Sequence, residues 1–160
     1  MQGLTMGRRD VALNREGVRD ALRAREALAR HEVTSIWVSP LRRCRQTARL
    51  ALGAPTPAPL HVLPELAERA WGQWEGRPAS ARPGFAESPA SAEPYADFEA
   101  RVLRALTRIH DPAAPLVVAH SGVWRALVRL IQGALPDETA RHGELRGLAL
   151  GERGPTAPGG

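Results

Sequence analysis

Twice in this chain a short apolar run stops at small or proline residues and gives way at once to helical spacing. Val33 to Val38 is a strand rich in β-branched residues, Ser39-Pro40 ends it, and Leu41 to Leu52 follows with helical periodicity up to a stop at Gly53. Leu116 to Ala119 repeats the pattern, with His120-Ser121-Gly122 as the turn and Val123 to Ile131 as the helix. Strands that feed helices in this way belong to an α/β layered fold with a mostly parallel sheet. Its ligand edge lies at the carboxyl ends of the strands, where helix N-termini offer free N–H groups to anions. His120 stands at such an end. The plainer reading of one histidine is a core or turn residue, so its partners elsewhere decide its meaning.

The remaining elements fit the same architecture. Gly17 to Arg30 reads as an amphipathic helix, Leu60 to Leu63 as a second short strand, and Tyr95 to Ile109 as a helix with Phe98, Val102, Leu103 and Leu106 on one face. Ala54 to Pro59 is a Pro-rich connector. Trp71 to Pro94, dense in Gly, Pro, Ser and Ala, reads as loop with one helical turn. Leu145 to Leu150 is a candidate last strand, and Gly151 to Gly160 is expected to be a disordered tail. At 160 residues the chain suits one domain, here residues 1 to 150.

Composition narrows the function classes. No apolar run reaches membrane-spanning length, and the N-terminus lacks the apolar stretch of a signal peptide, so the expected location is the cytoplasm without membrane association. Cys44 is the single cysteine, which excludes an internal disulfide. It reads as a small buried side chain in preference to a reactive thiol. All 22 basic residues are arginine and the net charge is +5, which raises the question of nucleic acid. The arginines are spread over several helices, and the aromatics do not interleave with them to make a stacking platform. A small phosphorylated ligand suits the arginine fork at least as well.

Three segments carry chemistry. Ser39-Pro40-Leu41-Arg42-Arg43-Cys44-Arg45-Gln46-Thr47-Ala48 follows a strand, so Arg43 can reach over the sheet edge that holds His120; the plainer reading is a solvated arginine face. Leu66-Ala67-Glu68-Arg69-Ala70-Trp71-Gly72-Gln73-Trp74-Glu75-Gly76 is a shaped loop, in which a carboxylate held against apolar rings has a raised pKa and can donate a proton. Val117-Val118-Ala119-His120-Ser121-Gly122-Val123-Trp124-Arg125-Ala126 is the third.

In this order the three segments resemble the histidine phosphatase, or phosphoglycerate mutase-like, superfamily. The likeness runs from about Gly7 to Leu150 and includes Gly7-Arg8-Arg9-Asp10-Val11-Ala12-Leu13 with Gly17, and Ala92-Glu93-Pro94-Tyr95 with Arg101-Val102. Pro94 stands where the family has serine, and Met6 where it has a small polar residue. The Trp-Glu-Gly loop is most similar to the α-ribazole phosphatase and broad-specificity branch. The resemblance implies a three-layer α/β/α sandwich and a phosphate pocket. Arg43 and His120 would bind the phosphoryl group with Gly7 beside them, and Glu68 would be acid and base. It implies no metal and no other cofactor, and a small phosphorylated substrate or phosphate as partner, with a homodimer among the assemblies allowed.

The family's nucleophilic histidine lies in an Arg-His-Gly motif at the end of a first strand. Gly7 stands so near Met1 that this strand and its motif are expected to be missing, which leaves an N-terminally truncated domain with impaired catalysis. A start site read too late and a true loss both account for the gap, and the second would leave a phosphate-ligand or protein-binding pseudophosphatase. Arg141-His142-Gly143 spells the motif near the other end, but loop composition precedes it, so a turn is expected there. His31, His61 and His110 are expected at the surface.

Overall fold

The structure is a computed structural model that describes residues 3–109, 113–136 and 140–149. His110, Leu150 and the tail from Gly151 to Gly160 lie outside the described residues, as does part of the loop before Arg141.

The first helix, α1 (Arg15–Leu28), begins two residues earlier than the apolar spacing suggests. The cause is Asn14, whose side-chain oxygen accepts from Gly17 N at 2.8 Å and satisfies a free amide of the first turn. Strand β1 (Ser35–Val38) is buried throughout. It leads into α2 (Arg42–Leu52), which stops at Gly53 as expected. Strand β2 (Leu60–Val62), three short 3₁₀ turns, α3 (Tyr95–Arg108), β3 (Pro115–Val118) and α4 (Ser121–Gln132) complete the order.

Among the described residues the three strands pair in parallel, in the order β2-β1-β3. Ile36 lies opposite Leu60 on one side and Leu116 on the other. Because side chains alternate along a strand, β1 feeds two cores. Trp37 points with Val117 into the larger one, against Phe98, Val102, Val123 and Leu127 of α3 and α4. Ile36 and Val38 point with Val118 to Cys44 and Ala48 of α2, on which α1 packs. The result is the expected three-layer α/β/α arrangement.

Two features depart from a complete sandwich. The outer edge of β3 has no strand partner among the described residues, and its Leu-Val-Val run is half-buried where a doubly covered strand would be buried. The candidate last strand is also absent over residues 145–149. Gly147 interrupts that run, and side chains anchor it instead: Leu148 packs on the larger core and Arg146 lies over the Trp124 ring. No helix among the described residues is long and apolar enough to cross a membrane.

Within the long loop between β2 and α3 one close approach requires glycine. Gly72 has φ +52°, and a Cβ there would stand 1.7 Å from the Ser91 carbonyl oxygen. Gly72→Ala should therefore lower stability by about 2 kcal/mol, visible as a reduced urea midpoint. An unchanged midpoint would show that the loop repacks freely.

Candidate active site

The chain passes from β1 to β2 in one direction and then returns to place β3 on the other side of β1. The strand order reverses between β1 and β3, which is where open α/β sheets form a ligand crevice. Ser39 follows β1 and His120 follows β3, and a contact of 2.7 Å between Ser39 Oγ and His120 Nε2 ties the two strand ends together.

Arg43, in the first turn of α2, turns back over this edge. It donates to Gly7 O and Arg9 O, each at 2.8 Å, and to His120 Nδ1 at 3.2 Å. An arginine has no lone pair to offer, so Nδ1 is the acceptor and the imidazole proton is assigned to Nε2, facing Ser39. Burial, reinforced by the charges of Arg43 and Arg101, lowers the His120 pKa to about 3, so the ring is neutral. Beneath it lies Cys44 Sγ, 3.5 Å from Nε2. Burial pushes this thiol up to about 12, so Cys44 stays protonated and packs.

Residues 3–10 form a strap across the site. Thr5 exchanges backbone hydrogen bonds with Arg77 and Gly76, and Glu75 Oε1 accepts from Arg8 N at 2.9 Å and Trp71 N at 3.0 Å. Gly7 has φ +50°, and a Cβ would collide with the Glu75 carboxylate, so the strap requires glycine here. Asp10 accepts from Arg42 N at 2.5 Å and caps α2, whose own N-cap Leu41 makes no side-chain cap bond. The Gly7-to-Asp10 stretch thus places two carbonyls on Arg43 and starts the helix that carries it.

Glu68 reaches the same crevice from the loop after β2. Its carboxylate accepts from Arg69 N at 2.8 Å and from Gly122 N, a first-turn amide of α4, at 3.1 Å. Burial raises its pKa despite these N–H bonds and the charges of Arg43 and Arg101. Gly122 is what lets the carboxylate approach: a Cβ would lie 2.1 Å from Glu68 Oε1.

Sequence reasoning assigned no role to the pair that holds this loop. Arg101, on α3, is buried and donates to the carbonyls of Glu65 (2.7 Å), Ala67 (2.6 Å) and Glu68 (3.0 Å). It also grips both oxygens of Glu93, at 2.7 and 2.9 Å, and Glu93 in turn accepts from Ala70 N and Arg8. Both residues fall in stretches matched to the family, but the spacing alone gave no hint of main-chain partners far away in the chain.

A cavity of about 710 Å³ opens over Arg43, Glu68 and His120 and continues along the free edge of β3, between Leu28 of α1 and Ile131 of α4. Arg141-His142-Gly143 is a turn, as expected, and lines the wall of this cavity with Gly143 close to Asp20. His31 and His61 are exposed, and His61 stacks on Trp37. Among the described residues no group of three His, Cys, Asp or Glu side chains is placed to hold a metal ion.

Comparison with known proteins gives the family and the fold. The family model of the histidine phosphatase superfamily (branch 1) matches residues 1–150. The adenosylcobalamin/alpha-ribazole phosphatase of Salmonella typhimurium is 30% identical over 142 residues, covering 79% of this chain and 70% of that protein. A crystal structure of phosphoglycerate mutase from Thermus thermophilus superposes with a TM-score of 0.70 at 27% identity, covering 89% of this chain and 81% of the other. A putative alpha-ribazole-5'-P phosphatase from Escherichia coli shares the fold, with a TM-score of 0.70 at 24% identity over 88% and 79% of the two chains.

Proposed function

The chain belongs to the histidine phosphatase superfamily, and on that premise we propose that its site binds and hydrolyses a small phosphomonoester, with turnover limited by the nucleophile. The observation that carries this reading is the convergence of Arg43, His120 and Glu68 on one crevice. Arg43 supplies positive charge to the phosphoryl oxygens, where charge develops during transfer. His120 stays neutral and supports that group. Glu68, its pKa raised, holds a proton for the leaving oxygen.

In a phosphohistidine route an imidazole nitrogen bonds to phosphorus as the ester P–O bond breaks, and Glu68 protonates the departing oxygen. Water then attacks phosphorus, gives its proton to Glu68, and the P–N bond breaks to release phosphate. Neither nitrogen of His120 is available for this attack, since one meets Arg43 and the other Ser39. No second imidazole stands beside Arg43 among the described residues. Slow turnover then runs by direct attack of water on phosphorus as the ester P–O bond breaks, with Glu68 protonating the departing oxygen, and the same observation favours a second reading, a phosphate-binding pseudophosphatase.

Titration with inorganic phosphate and hydrolysis of p-nitrophenyl phosphate test both readings. Binding and slow hydrolysis should each fall about tenfold or more in His120→Ala. Hydrolysis indifferent to His120→Ala overturns the enzyme reading, and binding with no hydrolysis or phosphohistidine leaves the pseudophosphatase.

Glu68 also gives a pH signature. Its folded pKa lies above the ordinary 4.5, so between those two values the folded protein holds a proton that the unfolded chain has released. Its favourable contribution is full below pH 4.5 and fades as pH rises through the folded pKa. Thermal denaturation across that window should show wild type losing stability relative to Glu68→Gln as pH increases. Parallel curves would mean an ordinary carboxyl.

A further inference from the structure

The neutral ring of His120 sets a problem for the crevice it lines. Arg43 donates to Nδ1, so in the free protein that nitrogen presents a lone pair and the ring proton sits on Nε2, 2.7 Å from Ser39 Oγ. A phosphoryl dianion beside Arg43 offers only acceptors. Meeting it with the Nδ1 lone pair would set acceptor against acceptor in a partly desolvated site, where an unmet pair is costly. Protonating the ring would remove the conflict, but burial, with the charges of Arg43 and Arg101, holds it neutral.

Two features open a route that needs no charge. The first is that Arg43 can release Nδ1. Its Nη2 serves Gly7 O at 2.8 Å and Nδ1 at 3.2 Å, and its Nη1 serves Arg9 O at 2.8 Å. The bond to the ring is the longest of the three, so it yields first to a charged oxygen. The second is that Nε2 faces a hydroxyl. Ser39 is completely buried, and its Oγ also accepts from Leu41 N at 3.3 Å. A carbonyl in that place could only accept and an amide N–H only donate, whereas a hydroxyl does either. The same 2.7 Å contact therefore suits Nε2 with or without its proton. Below the ring, the Cys44 thiol donates to Ala119 O at 3.2 Å and so leaves Nε2 to Ser39.

We propose that His120 changes tautomer when a phosphoryl group binds, and that Ser39 is the positioning residue that permits the change. As Arg43 shifts an N–H from Nδ1 to a phosphoryl oxygen, Nε2 gives up its proton to solvent and Nδ1 takes one from solvent. The ring carries one proton before and after. Nδ1–H then donates to the phosphoryl group, and the Ser39 hydroxyl turns to donate to Nε2. The proposal rests on the proposed function in placing the phosphoryl group at Arg43.

Nitrogen NMR of histidine-labelled protein, at mildly alkaline pH where phosphate is the dianion, tests it. Protonated and bare ring nitrogens resonate far apart, and the signals absent from His120→Gln belong to His120. Nε2 should be protonated and Nδ1 bare in the free protein, and saturating inorganic phosphate should reverse the two. The same tautomer in both states overturns the switch. A doubly protonated ring in the bound state also overturns it, because charge then answers the anion. Ser39→Ala, one oxygen smaller, should bind phosphate about tenfold more weakly and show a mixture of tautomers when bound, while Ser39→Thr should restore the reversal. A complete reversal in Ser39→Ala removes Ser39 from the switch, whatever that variant does to stability. Where Ser39→Ala does not fold, the wild-type spectra decide the switch and Ser39→Thr the part of the hydroxyl. Phosphate binding that is absent, or indifferent to Arg43→Gln, instead brings down the proposed function, so the two failures are distinguishable.

Discussion

Arg101→Met should destabilise the protein by about 3–5 kcal/mol, the range seen when one partner of a buried ion pair is removed. The side chain is only 8% exposed, and its guanidinium joins α3 to the loop on either side of Glu68. Its loss strips the side-chain donor from the Glu65 and Ala67 carbonyls, leaves the Glu68 carbonyl with Arg8 Nε alone, and leaves Glu93, itself mostly buried, with Ala70 N and a half-exposed Arg8. Arg101→Lys should recover little, because an ammonium has three donors and no planar fork to meet both oxygens of Glu93. Urea denaturation of wild type and the two variants measures this directly. A loss below about 1 kcal/mol would mean that water replaces Arg101 at those carbonyls.

The second large effect concerns the ligand. Arg43→Gln should weaken phosphate binding by about a hundredfold or more, as expected for removing the principal charged donor of an oxyanion site. Stability should fall far less, since the strap keeps its ties to Glu75, Gly76 and Arg77 and Asp10 still caps α2. Phosphate titration with parallel denaturation separates the two. Weak binding in a variant that melts far below wild type would assign Arg43 a structural task. His120 should remain neutral in the variant, because burial is the larger cause of its low pKa.

What the sequence revealed depended on which physical forces leave a local trace. Burial of apolar side chains does, so α2 and α4 could be read from helical apolar spacing and β1 and β3 from short apolar runs, and Arg43 and His120 could be placed at one sheet edge. Glu68 was found through its loop, and its raised pKa follows from burial as argued. Contacts that join distant main-chain atoms leave no such trace. Nothing in the spacing of Arg101 or Glu93 announces three carbonyls and a shared carboxylate. Gly122 and Gly7 were legible as motif letters, but their reasons, the Glu68 and Glu75 carboxylates that fill the space of a Cβ, needed coordinates. The segment from Leu145 misled because an apolar start promises a strand, while Gly147 and the side-chain anchors of Arg146 and Leu148 hold it without a ladder.

Arg43 is fixed in direction by two peptide oxygens and a neutral ring, with no carboxylate among the three. Dipoles aim a guanidinium without cancelling its field. Beyond the crevice that field adds to a chain already at +5, so an anion in solution is drawn inward before any hydrogen bond forms. The consequence is kinetic: added salt slows the arrival of a phosphate ester more than it shortens its stay, because screening acts on the approach and far less on a pair already in contact.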